Sequence, residues 1–118
     1  MCKLVGLNFS ECNPFLLAFS FTNCQLNLAS FYQLKLKNTK FTNCNLQETD
    51  FTEADLSNSL LDNCDLKRAI FENSNLEKAD FRTSYNYSIN PETNNIKKAK
   101  FSLNGIAGLL EKYQILIE

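Results

Sequence analysis

The chain has no histidine and no tryptophan, and only one methionine, three glycines and two prolines in 118 residues. Without histidine, the Ser-His and Cys-His pairs that activate enzyme nucleophiles are excluded. Gly6, Gly105 and Gly108 do not assemble a glycine-rich phosphate loop. No apolar run approaches the roughly 20 residues that cross a bilayer. Met1-Cys2-Lys3-Leu4 lacks the charged-then-apolar layout of a secretory signal. The cysteines number five, an odd count, and none stands in a CxxC pair. A disulfide framework is therefore not expected, and free thiols without a signal point to a reducing, cytoplasmic setting. With a net charge of -1, the whole molecule is not expected to bind nucleic acid directly. No membrane association and no cofactor are expected either, and the length suits one domain, residues 1–118.

What the chain does have is a period of five. Every fifth residue from Phe21 is large and apolar: Phe21, Leu26, Phe31, Leu36, Phe41, Leu46, Phe51, Leu56, Leu61, Leu66, Phe71, Leu76 and Phe81. Two residues earlier stands a generally smaller one, such as Cys24, Ala29, Thr39, Cys44, Ala54, Ser59, Cys64 or Ala79, with Phe19 and Leu34 as larger exceptions. The position just before the large residue is often an acid or amide: Gln25, Asn45, Asp50, Asp55, Asp65, Asn75 and Asp80. Neither the helical period of 3.6 nor the strand period of 2 describes this. If each pentad is one short side and one corner, the large and small residues both point inward and fill the axis. Backbone groups then pair between successive coils at the strand spacing of roughly 4.8 Å.

The number of sides follows from a longer interval. Cys24, Cys44 and Cys64 are twenty residues apart, and the tags Phe21-Thr22-Asn23-Cys24, Phe41-Thr42-Asn43-Cys44 and Leu61-Asp62-Asn63-Cys64 recur at the same step. Four sides of five residues place the central residues in four columns: Phe21/Phe41/Leu61/Phe81, Leu26/Leu46/Leu66, Phe31/Phe51/Phe71 and Leu36/Leu56/Leu76. The A(D/N)LXX pattern, in phase over residues 17–83, resembles the pentapeptide-repeat family. The resemblance implies an all-β solenoid: a right-handed, four-sided parallel β-helix, here of about five coils, ending in a short capping helix.

Three places break the pattern. Cys2/Leu4, Leu7/Phe9 and Cys12 follow a pentad, but the phase slips by two before Phe21, with a bulge expected at Asn13-Pro14-Phe15-Leu16-Leu17. Residues 84–100 form an irregular coil: Tyr85 to Asn95 shows no pentad, yet Phe81 and Phe101 are twenty apart, with Ser84 and Ile96 expected inward. The last strand and cap are expected over 99–118. Asn104 is read as the helix N-cap, with Ile106, Leu109, Leu110 and Tyr113 at helical spacing. With Ile115 and Ile117 these are candidate cap or dimer contacts, since a cover over the last coil blocks strand addition. The opposite end is expected to be bare, so that the chain is part of a longer repeat protein or docks there.

Two constellations are candidates for chemistry. The Cys24/Cys44/Cys64 column could bind a soft metal, but small apolar filling is the expectation. Charge is uneven: residues 41–83 carry nine acids against four bases, and both flanks are basic. Asp50, Glu53 and Glu72 gather on one inferred side, and Asp55 and Glu77 on the next, as a candidate acidic face for a basic partner. Acid–base catalysis by these carboxylates is not expected, because an outer wall lacks a pocket. The Asn23/Asn43/Asn63 column reads as corner reinforcement. The expected function is a non-catalytic protein-interaction module, bacterial and cytoplasmic. The alternative comes from the resemblance: the family's quinolone-resistance group mimics DNA, binds type II topoisomerases and dimerises through a C-terminal helix like that of Leu109, Leu110 and Tyr113.

Overall fold

The computed structural model describes residues 2–7 and 20–116. Its strands are short: β1 (Cys2–Lys3), β2 (Ser20–Thr22), β3 (Cys24–Gln25), β4 (Lys40–Thr42) and β5 (Leu60–Asp62). All pairings are parallel, with Phe21 opposite Phe41 and Phe41 opposite Leu61. The other sides pair through single bridges, including Ser30 with Asp50, Lys35 with Asp55 and Asn45 with Asp65. Every one of these partners lies twenty residues along, which makes the molecule a β-solenoid whose turn is twenty residues. The exception is β1, where Cys2 faces Cys24. That coil carries two more residues than the rest, while the bulge expected at 13–17 lies outside the described residues.

Each corner is turned by a left-handed residue two places after the central one, with φ between 51° and 64° at Asn23, Leu28, Gln33 and so on to Lys78 and Lys98. Asparagine tolerates this region better than most side chains, and it stands at several of these corners. On most sides the turn closes by a bond from the small residue's N–H to the central carbonyl, as from Ala29 to Leu26 (3.0 Å) and Ala54 to Phe51 (3.0 Å).

The core is the four columns. Phe21, Phe41, Leu61, Phe81, Leu26, Leu46, Leu66, Phe31, Phe51, Phe71, Leu36, Leu56 and Leu76 are all buried, as are Cys24, Cys44 and Cys64. Phenylalanines stack within two of the columns, Phe21 on Phe41 at 5.2 Å in one, and Phe31 on Phe51 at 5.3 Å and Phe51 on Phe71 at 5.1 Å in the other. Rings of opposite columns meet edge-on, as Phe41 and Phe51 do at 6.2 Å, the arrangement that ring quadrupoles favour. Polar residues at the small inward position donate to the central carbonyl of the coil below. Thr49 Oγ1 reaches Leu26 O (3.0 Å), Ser59 Oγ reaches Leu36 O (2.7 Å) and Ser74 Oγ reaches Phe51 O (2.7 Å). Such bonds let these three hydroxyls occupy an apolar axis while satisfied.

The thiols follow the same rule. Cys44 Sγ donates to Phe21 O (3.3 Å) and Thr42 O (3.4 Å), and Cys64 Sγ to Phe41 O (3.4 Å) and Asp62 O (3.3 Å). All three are reduced thiols, and a donor must keep its proton. The hydrogen bond shared with Cys44, and then burial, hold the Cys64 thiol well above the usual range.

The irregular coil keeps these carbonyl bonds in part. Ser84 is buried and donates to Leu61 O, while Ile96 packs partly buried on the core. Tyr87 and Ile89 turn inward, and Asn94 Nδ2 donates to Phe71 O (3.0 Å). Beyond Phe101, which stacks on Phe81 at 5.3 Å, the cap consists of two 3-10 segments, η1 (Leu103–Leu109) and η2 (Glu111–Tyr113). Its N-cap is Ser102, not Asn104: the Ser102 hydroxyl accepts from Gly105 N at 3.0 Å. The tighter helix starts just after the last bridged residue, Lys100, which leaves no turn of chain between Phe101 and the cap for Asn104 to begin. Glycine is required in this cap. A Cβ on Gly108 would overlap the main-chain carbonyl of Tyr87, and one on Gly105 would overlap its hydroxyl.

Two outcomes follow. Alkylation mapped by peptide mass should modify Cys24, Cys44 and Cys64 in the native protein only at the rate of global opening, and at once in urea; fast native labelling of all three would contradict their burial. Gly108→Ala should cost about 1–3 kcal/mol in urea melts through backbone overlap, with faster hydrogen exchange at the Ile89 amide, which now bonds Gly108 O at 2.9 Å.

Candidate interaction surfaces

The residue before each central position has a structural duty. Asp50 Oδ1 accepts from Thr52 N (2.9 Å), Asp55 Oδ1 from Ser57 N (3.0 Å) and Asp80 Oδ1 from Arg82 N (3.0 Å). Asn45 and Asn75 do the same for Gln47 and Glu77. One side-chain oxygen, charged or not, thus ties down the N–H that follows each central residue. The alternation of Asn and Asp at this position was the sequence signal for it.

The five candidate acids occupy adjoining walls. Asp50 lies in the bridge row Ser30–Asp50–Ile70, and Asp55 in the row Lys35–Asp55–Asn75. Glu53 stands at the corner after Phe51, where it accepts from Gln33 Nε2 (3.2 Å). Its hydrogen bond and charge, with Asp50 adding less, hold the Tyr32 hydroxyl above the usual phenol range. Glu72 is exposed and Glu77 half-buried on the coil above. Ion pairs among the described residues lie on other walls: Arg68–Glu48 at 3.7 Å and Arg82–Asp80 at 2.9 Å. The Arg82 guanidinium holds the Asp80 carboxyl below its ordinary value. Asparagines link one corner, where Asn63 Nδ2 donates to Asn43 Oδ1 at 2.8 Å.

The cap presents a second surface. Leu109 packs on the core, whereas Leu103, Ile106, Tyr113, Ile115 and Leu116 are exposed. Leu110 is half-buried, and Ile117 lies outside the described residues. Tyr113 donates to Glu92 Oε1 at 2.7 Å, drawing the tail back over the irregular coil. A shallow cleft of about 820 Å³ runs between Lys67 and Asn86 on the body and Leu110, Glu111 and Ile115 on the tail. Sequence reasoning missed Tyr87, the anchor of this cap, because it falls where the period is lost. Among the described residues no three cysteine, aspartate or glutamate side chains converge as a metal site would need, and no helix is long and apolar enough to cross a membrane.

Comparison with known proteins agrees with this architecture. A pentapeptide repeat protein from the Arabidopsis thaliana thylakoid lumen is 24% identical with a TM-score of 0.59, over 82% of this chain and 59% of that one. The present chain therefore spans less than two thirds of that protein. The pentapeptide repeat protein Rfr23 from the cyanobacterium Cyanothece 51142 is 24% identical, with a TM-score of 0.40 over 88% of this chain and 86% of that one. QnrB1, a plasmid-mediated fluoroquinolone resistance protein, is 14% identical, with a TM-score of 0.35 over 98% and 80%. No curated protein matches the sequence. At 24% identity the likeness to the thylakoid-lumen protein is one of fold, and function has to be argued from the surface. The model of the pentapeptide repeat region, however, matches residues 1–69 and again 16–90, and with the five-residue period and the twenty-residue register this places the chain in the pentapeptide-repeat family.

Proposed function

We propose that the chain is a non-catalytic protein-interaction module, a right-handed rod of about five coils that offers its acidic walls to a basic protein surface. The observation that carries this reading is the division of labour between side chains. Inward residues are committed to packing, and Thr49, Ser59, Ser74, Cys44 and Cys64 also to carbonyls of the coil below. Outward carboxylates are spread over adjoining straight walls, one to a row, where they can meet an extended partner but enclose no small substrate. Reduced, buried thiols suit a cytoplasmic setting.

The alternative is a DNA-mimicking modulator of DNA gyrase or topoisomerase IV that protects against quinolones, dimerised through the exposed apolar tail. The concentration of nine acids within residues 41–83 favours it. Against it, Asp50 and Asp55 each turn one oxygen to their own backbone.

Glu53→Gln/Glu72→Gln/Glu77→Gln removes charge from the walls and spares the aspartates that hold the corners. Partners captured from the native organism by the parent protein should be lost with this variant and weakened by salt; equal capture by both would remove the acidic walls from the reading. A supercoiling assay with and without a quinolone separates the alternative, which is lost if the protein neither inhibits nor protects.

A further inference from the structure

The last coil ends in an unsatisfied line of backbone groups. The coil before it holds that last coil by five of them: Ser74 O accepts from Asn95 N, Leu76 N donates to Asn95 O, Lys78 N to Lys97 O, Ala79 O accepts from Lys100 N, and Phe81 N donates to Lys100 O, at 2.7–3.0 Å. Twenty residues on, the equivalent groups are Asn94 O, Ile96 N, Lys98 N, Ala99 O and Phe101 N. None has a backbone partner among the described residues. The side chains tell the same story. Leu76, Ala79 and Phe81 are fully buried (0%), whereas Ile96, Ala99 and Phe101 in the same columns stay partly exposed. The cap does not cover this edge: Gly108 O is bonded to Ile89, and Tyr113 to Glu92, both on the irregular stretch before Asn94.

The charge along the edge is of one sign. Lys97, Lys98 and Lys100 are all exposed, and none forms an ion pair among the described residues. Lysine on an edge strand repels another basic edge and attracts an acidic one. We infer that the edge Asn94–Phe101 is a strand-addition site for an extended acidic peptide, which lies parallel to it as one further side of the solenoid. The occupant places an apolar residue over Ile96, a small one over Ala99 and a large apolar one over Phe101. Its outward positions carry carboxylates beside Lys97, Lys98 and Lys100. Main-chain bonds supply the affinity, and the half-open columns and lysines supply the selection. The inference rests on the reading of the chain as an interaction module and names a second surface, away from the acidic walls.

The chain's own previous coil supplies the probe. A fluorescent peptide reproducing residues 74–81 with Lys78→Glu has the required spacing. It should bind the full protein saturably, with slower hydrogen exchange at the amides of Ile96, Lys98 and Phe101. Lys97→Gln/Lys100→Gln, which removes the two exposed charges without setting a carboxylate over Glu77 or Asp80, should weaken binding about tenfold, the scale of one or two lost charge pairs, with little change in the thermal midpoint. No binding, equal binding of a scrambled peptide, or protection at other amides would overturn the assignment. So would a larger species of the protein alone with those three amides already protected, because the edge would then belong to a second copy. Capture on the acidic walls is read out by a different variant, so either surface can fail without the other.

Discussion

Everything in this molecule hangs on the bond from one coil's backbone to the next. A pentad is too short to be a helix or an independent strand, and an isolated coil has nowhere to place its donors and acceptors. Stacking at a constant twenty-residue step solves that problem for every side at once, and the rest of the chemistry serves the step. Stacked phenylalanines, carbonyl-bound hydroxyls and left-handed corners each keep the next coil in register with the last. Cooperativity in such a rod is between neighbours, so a fault in one coil is felt first by the coils that touch it.

The two ends handle the constraint differently. Near the start, a coil two residues longer still brings Cys2 opposite Cys24, so extra chain is accommodated without disturbing the pairing. Near the finish the period is lost, and Tyr87 and Ile89 substitute for regular inward residues before Asn94 resumes the pattern. Tyr87 then fixes what can lie above it, and only glycine at positions 105 and 108 lets the cap approach. The cap is therefore matched to one irregular coil rather than being a general lid.

How legible was this from sequence? The central columns were open to view because Phe and Leu recur every fifth residue, and the twenty-residue turn because three cysteines break the monotony of small residues. Sequence could not show that Cys44 and Cys64 donate to carbonyls 23 residues back, on the coil below, since that depends on depth within the stack. It misplaced the cap's first residue because Asn104-Gly105 carries the usual signal for a helix start, while the true cap, Ser102, sits in an ordinary pentad position. Tyr87 was hidden for want of any period around it. The acidic walls were countable in advance, but the commitment of Asp50 and Asp55 to neighbouring amides was not.

That commitment has a wider bearing. Asparagine at positions 45 and 75 performs the same bond as aspartate at 50, 55 and 80. The backbone needs one oxygen there and is indifferent to the proton count or the amide nitrogen on the other atom. A single-atom change of side chain can therefore add or remove charge along a whole wall while the stack stays the same. In a rod built this way, electrostatic identity is free to drift or to be selected independently of architecture, so two members of one fold can present opposite faces to the cell.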